Sequence, residues 1–331
     1  MQTQSYSGGV RAGLPTTAAT KQYRTGNRVW LLTALGSLLT AGLAQAQALD
    51  PAFGTGGKVF TTFTAAPTTD IANAGVLLAD GRIVVAGQGG AGFELARYLP
   101  DGSLDPSFGA GGKVTTDFGP SVSSSGTDNR PSRAVAMLVQ TDGKIVAAGR
   151  RGNEWAIARY TAAGALDNTF GSGGKVTLKD TQLGGWITRI AQQSSGKLVL
   201  MSYNLTLNGS TVEVARLNAN GTRDNSFNGA GAGYAIPWSG TFDRRPTIQD
   251  GLVDASDRIL AVGSLDEVVG SSTSSLALAR LLPDGTDDPS FGGGSSVRLR
   301  VPAAAGVTSA GTAGHGVCLL PNGQILVVGS T

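Results

Sequence analysis

The chain has 331 residues, which is enough for two average domains or for one large all-β domain. Its 50 glycines are about twice the usual share, whereas it has one cysteine and one histidine. This composition excludes a disulfide scaffold, a zinc module of cysteine and histidine, and a His-rich metal site.

The net charge of +3 is unevenly distributed along the chain. Residues 1–48 contain four basic residues and no acidic one, which leaves a charge of −1 for the remainder. Binding of nucleic acid requires clustered lysine and arginine side chains. A nearly neutral body therefore gives no reason to expect a nucleic-acid partner.

The first predicted element is a secretory leader over residues 1–48. Its basic residues end at Arg28, an apolar run follows over 29–43, and small residues with A-x-A spacing come next. This order is typical of a cleaved signal peptide, and the apolar run is short for a membrane span, which needs about 20 residues. An uncleaved anchor is the alternative. We expect a secreted or cell-surface protein whose mature part, 49–331, does not span the membrane.

Residues 49–331 contain a repeat of roughly 60 residues, recognisable from three strings in constant order. The first string is D-x-x-F, at Asp50/Phe53, Asp105/Phe108, Asp167/Phe170, Asp224/Phe227 and Asp288/Phe291. The second is a turn followed by an apolar run, as in DGRIVVAG at 80–87. The third ends in Ala-Arg-Tyr or Ala-Arg-Leu, with its arginines at Arg97, Arg159, Arg216 and Arg280. We place the units near 49–104, 105–166, 167–223, 224–287 and 288–331, the last one truncated.

Each complete unit is predicted to form four short strands, named A to D in chain order. In the first, strand A over 71–78 and strand B flank an Asp-Gly turn, which is a strong hairpin signal. Strand C is the FELARY string, and a polar link joins it to strand D over 111–118. The body opens with a D strand at about 57–63 and stops after an A and a B strand.

Four antiparallel strands repeated at this length are typical of a β-propeller blade. We therefore predict an all-β fold, a β-propeller of four-stranded antiparallel blades with about five repeats and an incomplete ring. An open β-solenoid or sandwich is the alternative architecture. Because the last unit lacks strand C, we expect a fragment of a longer repeat protein. A five-bladed ring that closes imperfectly is the other explanation.

The strings DGKIV-x-AG, ARY-x-x-x-G-x-LD-x-x-FG and GGKVTTDF resemble the delta-60 repeat. The resemblance covers residues 49–331, and the first two units match best. Unit three has Ser195 in place of the turn aspartate, and unit four has Asp257 in place of the turn glycine. The resemblance implies a β-propeller-like repeat of secreted and surface bacterial proteins and does not imply an activity.

The predicted binding surface is the end of the sheets that carries the B–C and D–A loops, here called the variable-loop face. These loops differ in length from unit to unit, as at 88–92, 264–275, 64–70 and 119–132. Binding commonly resides in variable loops on a rigid scaffold, and Trp and Arg are favoured anchors. The candidate binding residues are Arg130, Trp186, Trp238, Arg244 and Arg245. The alternative is that each Trp is packing and each charge a solvated loop residue. The partner is unknown, with an extracellular glycan or protein as the expectation.

The recurring Asp, Arg and Phe residues of the strings are predicted to be structural. A residue needed once for chemistry would not be needed in every unit, and the Asp carboxylate is expected to accept backbone amides as in an Asx turn. We expect a non-catalytic binding or structural module with no catalytic residue, metal or cofactor. The alternative is a secreted carbohydrate-active hydrolase or lyase that uses channel carboxylates, for which the local acids are Asp243, Asp250, Asp254 and Asp266.

Overall fold

The computed structural model describes residues 49–63, 70–90, 92–123, 126–128, 131–178, 185–206, 209–229, 234–235, 246–266, 274–294, 296–299 and 311–330. Every regular element in these residues is a β-strand. Four sheets have four strands each, a fifth has two, and a separate short hairpin forms a further two-stranded sheet. The predicted all-β fold of four-stranded antiparallel blades is thereby confirmed.

The strands follow one another in the sheets in chain order. The first sheet contains β1 (Ile71–Leu77), β2 (Ile83–Gly89), β3 (Gly92–Tyr98) and β4 (Lys113–Thr116). A short hairpin of β5 (Ser121–Ser123) and β6 (Gly126–Asp128) precedes the second sheet of β7 (Arg133–Val139), β8 (Ile145–Arg151), β9 (Glu154–Tyr160) and β10 (Lys175–Leu178). The third sheet contains β11 (Trp186–Gln192), β12 (Leu198–Thr206), β13 (Gly209–Leu217) and β14 (Tyr234–Ala235).

The fourth sheet contains β15 (Thr247–Val253), β16 (Ile259–Asp266), β17 (Ser274–Leu281) and β18 (Ser296–Leu299). The fifth contains only β19 (Ala313–Leu319) and β20 (Ile325–Ser330). The four strands of a full sheet correspond to the predicted strands A, B, C and D. The prediction of a D strand at 57–63 was wrong, because this segment forms turns and irregular structure with a single bridge between Gly54 and Lys58.

Local sequence explains the A–B hairpins. Gly81 adopts a φ of +83° and its amide donates to the carbonyl of Leu78, which closes the turn after β1. Glycine adopts this left-handed conformation without steric cost. In the fourth sheet Asp257 takes the position at φ +60°, a conformation that Asp tolerates better than most residues. Each A strand also carries a register shift at the same place, so the repeat extends to backbone detail.

The hydrophobic core lies between successive sheets rather than inside any one of them. Phe93 and Leu95 of the first sheet pack with Ile145, Ala158 and Tyr160 of the second, and all five are buried. Full burial of a Leu, Ile or Phe side chain stabilises a fold by about 1.5–3 kcal/mol. Since β9 is covered on both faces, all seven of its residues are buried. A single sheet could not bury both faces alone.

The sheets pack in chain order through their A strands: β1 against β7, β7 against β11, β11 against β15, and β15 against β19. In the described part of the chain this series does not return from the fifth sheet to the first, so the ring is not closed. Large apolar side chains are consequently exposed at both ends of the series. Leu77 of the first sheet is 71% exposed and Val328 of the fifth is 57% exposed.

Candidate functional site

An arginine near the end of each C strand binds the aspartate of the following D-x-x-F string. In the second sheet Nε of Arg159 donates to Oδ2 of Asp167 at 2.8 Å, and Nη2 donates to the Thr169 hydroxyl at 3.0 Å. The guanidinium carbon lies 4.6 Å from the centroid of the Phe170 ring. We call this group the Arg–Asp–Phe element. Its other members are Arg97, Asp105 and Phe108; Arg216, Asp224 and Phe227; and Arg280, Asp288 and Phe291.

The Arg–Asp–Phe element also joins one sheet to the next. Nη1 of Arg159 donates at 2.6 Å to the carbonyl of Ala219, in the C–D link of the third sheet. The Phe170 ring packs against Gly221 of the same link, where an added Cβ would lie 2.9 Å from the ring. The corresponding bonds of the first and third sheets join Arg97 to Ala162 and Arg216 to Pro283.

Residues 50–54 take the place of such an element in front of the first sheet. The carboxylate of Asp50 accepts the amide of Ala52 at 2.9 Å, and the amide of Gly54 donates to the carbonyl of Asp101 at 2.8 Å. Phe53 faces Gly102, where a Cβ would lie 3.2 Å from its ring. The opening segment therefore contacts the first sheet in the way that one sheet contacts the next.

The aspartates of the four Arg–Asp–Phe elements are held in the ionised form, because their contacts lower the pKa of each carboxyl. The Ser107 hydroxyl and amide donate to Asp105 and, together with the nearby guanidinium groups, lower the pKa of its carboxyl in spite of its burial. In the second sheet the same contacts from Thr169, with Arg159 and Lys144, lower the pKa of Asp167 to about 2. A general acid or base works best with a pKa near the operating pH. These carboxylates are thus suited to a structural role and poorly suited to proton transfer.

Three side chains meet at the variable-loop face. Trp186 opens β11, Arg133 opens β7, and Arg150 of β8 lies directly opposite Arg133 in the register. The guanidinium carbons of Arg133 and Arg150 lie 4.3 and 4.2 Å from the centroid of the Trp186 ring, within the range of cation–π contacts. We call these three residues the Trp186 cluster. The indole is 38% exposed, so an aromatic surface flanked by two positive charges is accessible from solvent.

Buried neighbours hold the Trp186 cluster in position. Trp155, at the start of the C strand β9, has no exposed surface, and its Nε1 donates at 2.8 Å to the carbonyl of Gly185. This bond fixes the backbone immediately before Trp186. Nε of Arg150 donates at 2.6 Å to the carbonyl of Gly152 in the B–C turn. The site is therefore held by the rigid ends of strands from two sheets.

Of the five predicted binding residues, Trp186 is the one whose side chain the structure describes. Arg130, Trp238, Arg244 and Arg245 lie outside the described residues.

Sequence reasoning missed Arg133 and Arg150 as companions of Trp186. The signal available was their position: they flank the apolar parts of strands A and B at the same end of a predicted hairpin. Their proximity to Trp186, however, depends on how the second and third sheets pack.

A second feature that was not anticipated is the buried carboxyl of Glu94 in strand β3. The residue is 3% exposed, and neither carboxyl oxygen has a hydrogen-bond partner in the described part of the structure. Burial, with a contribution from the negative charge of Asp70, raises the pKa of Glu94 to about 7. Glycosidases typically use a pair of carboxyl groups with access to the sugar. Although the acid Asp70 lies nearby, Glu94 is 3% exposed and therefore lacks the access that such a pair requires.

The acids considered for a catalytic channel have different surroundings. Asp250 forms an ion pair with Nε of Arg189 at 3.2 Å and accepts a hydrogen bond from the amide of Val317 at 3.0 Å. Asp254 lies in an A–B turn and binds Arg258 at 2.7 Å. Asp266 ends strand β16, and Asp243 lies outside the described residues. Among the described residues, no group of three or more His, Cys, Asp or Glu side chains is placed to hold a metal ion.

Comparison with protein families finds the repeat. A family model described as "domain of unknown function (DUF5122) beta-propeller" matches residues 78–108, 140–170, 193–227 and 255–291. Each matched segment ends at the Phe of an Arg–Asp–Phe element. The chain is therefore a β-propeller repeat protein. The description of the family assigns no biochemical activity to it.

Solved structures with detectable similarity include a mannose phosphorylase from Leishmania mexicana, at 11% identity and a TM-score of 0.40, covering 80% of each chain. Another is an endo-1,4-beta-xylanase from Bacteroides thetaiotaomicron, at 12% identity and a TM-score of 0.38, covering 79% of this chain and 97% of the other. The comparison with curated proteins finds no match. The described residues include no helix that is long and apolar enough to cross a membrane.

Proposed function

We propose that the chain is a secreted or cell-surface protein of the delta-60 repeat type that acts as a non-catalytic binding module. The leader-like order of residues 1–48 supports export, and the repeat strings support the family. The observation that carries the binding role is the Trp186 cluster, an exposed aromatic ring flanked by two guanidinium groups. The recurring carboxylates of the Arg–Asp–Phe elements, in contrast, are already engaged with the arginines that join the sheets.

The ligand class that fits the Trp186 cluster best is an anionic extracellular glycan. The part of Trp186 that the two guanidinium groups leave exposed offers an apolar surface for a sugar ring, and Trp and Arg are among the side chains most often found as binding anchors. Arg133 and Arg150 would pair with carboxylate or sulfate groups of the glycan, since guanidinium groups bind such anions in a bidentate manner. Because the body of the protein is nearly neutral, the attraction would be local to this cluster.

Titration calorimetry with an acidic polysaccharide, such as polygalacturonate, and with neutral dextran tests the proposal. We expect the wild-type chain to bind the acidic polymer and not dextran, with an affinity that falls as salt is added. Trp186→Ala should weaken binding about tenfold or more. Arg189→Gln is the matched control, because Arg189 lies on the same strand, is exposed, and pairs with Asp250.

Unchanged affinity in Trp186→Ala, or equal binding of the neutral polymer, would refute the anionic-glycan site. Analysis of the polysaccharide after incubation tests the non-catalytic part of the proposal. Shorter or unsaturated products that accumulate with time would show a hydrolase or lyase, and that role would then replace the binding module.

A further inference from the structure

The turns between strands A and B depart from the repeat at two places that contact each other in the structure. In the third unit the turn contains Ser194 and Ser195, and in the fourth unit Asp257 replaces the turn glycine. Asp257 has a φ of +60°, a left-handed conformation that strains a residue with a side chain. The fourth unit therefore keeps an unfavourable backbone conformation where glycine would be free of strain. The other units have glycine at this position, namely Gly81, Gly143, Gly196 and Gly323.

The carboxylate of Asp257 binds the A–B turn of the preceding sheet. Its Oδ1 accepts the amide of Ser194 at 2.7 Å, and its Oδ2 accepts the Ser194 hydroxyl at 2.5 Å. Nε2 of Gln193 donates at 2.9 Å both to the carbonyl of Asp257 and to the carbonyl of Pro283, in the C–D link of the fourth sheet. Hydrogen bonds to an ionised acceptor are stronger than those between neutral groups. The third sheet is therefore bonded to the fourth at the end that carries the A–B turns.

The corresponding turns of the other units lack the side chains for such a pair. The residues at the position of Asp257 are glycines, which have no side chain to accept a hydrogen bond. At the position of Ser194, the first unit has Ala79 and the second has Thr141. Among the described turns, a hydroxyl and a carboxylate therefore meet where the third unit contacts the fourth.

The remaining bonds between sheets recur from one contact to the next and do not distinguish one unit from another. The arginine of an Arg–Asp–Phe element donates to a backbone carbonyl of the next C–D link, as Arg97 does to Ala162. The amide that follows the Phe donates to the neighbouring carbonyl of that link, as Gly109 does to Ala163. Because each unit offers similar groups, a sheet could pack on the wrong unit, and misassembly of this kind is a characteristic failure of repeat proteins.

We propose that Ser194 and Asp257 select the fourth sheet as the neighbour of the third. Any other unit in that place would bring a glycine opposite Ser194 and would leave its hydroxyl without the carboxylate. Specificity of this kind is the difference in free energy between the correct and the incorrect contact. The pair lies at the A–B turns, at the opposite end of the sheets from the variable-loop face, so the proposal is independent of glycan binding.

A double-mutant cycle with Ser194→Ala and Asp257→Gly tests the contact by urea-induced unfolding of the full chain. We expect Ser194→Ala to raise the equilibrium constant for unfolding about 2- to 10-fold, which is the contribution of one net hydrogen bond. In the Asp257→Gly background the same substitution should have little effect, because the acceptor is already gone. Thr141→Ala is the matched control, since it removes a hydroxyl at the same position of the second unit and should leave stability unchanged.

Refolding of the full chain from urea tests the selection itself. Size-exclusion chromatography after refolding separates compact monomer from expanded or associated species. We expect Asp257→Gly to raise the ratio of these misassembled species to compact monomer by about 2- to 10-fold, the factor that the lost contact represents. Gly143→Ala strains the A–B turn of the second sheet but leaves the contact in place, so it controls for a loss of stability alone and should refold with the ratio of the wild type.

Equal effects of Ser194→Ala in the two backgrounds would overturn the proposal, because the two side chains would then not interact. Coupling in the cycle together with an unchanged refolding ratio in Asp257→Gly would also overturn it, since the contact would then stabilise without selecting. Because Ser194 is exposed and Asp257→Gly introduces the glycine of the other units, both variants should keep the circular dichroism spectrum of the wild type. A change in the refolding ratio then reports on assembly of the sheets and not on loss of the fold.

Discussion

Replacement of Gly164 by alanine measures how much the contact between the first and second sheets depends on close packing. Gly164 has a φ of +88°, and an added Cβ would lie 2.9 Å from Cε2 of Phe108 and 2.9 Å from Cγ2 of Val114. A left-handed backbone costs an L residue about 1–2 kcal/mol. Overpacking costs about 1–3 kcal/mol. The alanine also lowers the chain entropy of the unfolded state, which stabilises the folded protein by about 0.4–1 kcal/mol. We expect the free energy of unfolding to fall by about 2–4 kcal/mol.

Gly143→Ala is the matched control for this substitution. Gly143 lies in the A–B turn of the same sheet with a φ of +81°, and an added Cβ would approach nothing closer than the Cβ of Ala162, at 3.5 Å. Both variants therefore carry the cost of a left-handed backbone, but Gly143→Ala adds no steric overlap. The expected loss of unfolding free energy in Gly143→Ala is about 1 kcal/mol. Urea-induced unfolding followed by circular dichroism measures both. Equal losses in the two variants would refute the claim that Phe108 packs tightly against the next link.

Two further predictions concern pH, and their signs are opposite. The pKa of Asp167 is about 2 in the folded protein, below the unfolded value of about 3.9, so the stability that its ionised form contributes is present above pH 4 and is lost as the pH falls toward about 2. Asp167→Asn should lower the melting temperature at pH 7 by more than at pH 2.5, and a constant difference would count against the assignment. The pKa of Glu94 is raised to about 7, so its neutral form is stabilised and stability is lost as the pH rises from about 4.3 through 7. Glu94→Gln should therefore raise the melting temperature at pH 8 and change it little at pH 4. Scanning calorimetry at the two pH values measures this, and an equal gain at both would contradict the prediction.

Much of the fold could be predicted from the residues alone because the signals are local. The Asp-Gly turn before Arg82 and the apolar run after it define a hairpin within a dozen residues, and the structure has that hairpin as β1 and β2. The prediction at 57–63 failed for a physical reason. A D strand forms by pairing with a C strand, and among the described residues no C strand pairs with this segment, although Tyr98 of β3 bonds to the Thr61 side chain.

The candidate site was less accessible to sequence reasoning than the fold. Trp186 was identified from its residue type and its position at a loop, but the two arginines that flank it belong to the preceding sheet. Likewise, Glu94 is an unremarkable residue in the string FELARY, and only its burial beside Asp70 sets it apart. Contacts between sheets involve residues about 60 positions apart, and no local pattern encodes them.

For this protein, the amino-acid sequence determined the strands, the turns and the number of repeated units, because hairpin turns and apolar alternation act over a few residues. Tertiary structure decided what the repeated polar residues do. Arg159 could have faced solvent, yet it binds Asp167 in its own sheet and Ala219 in the next.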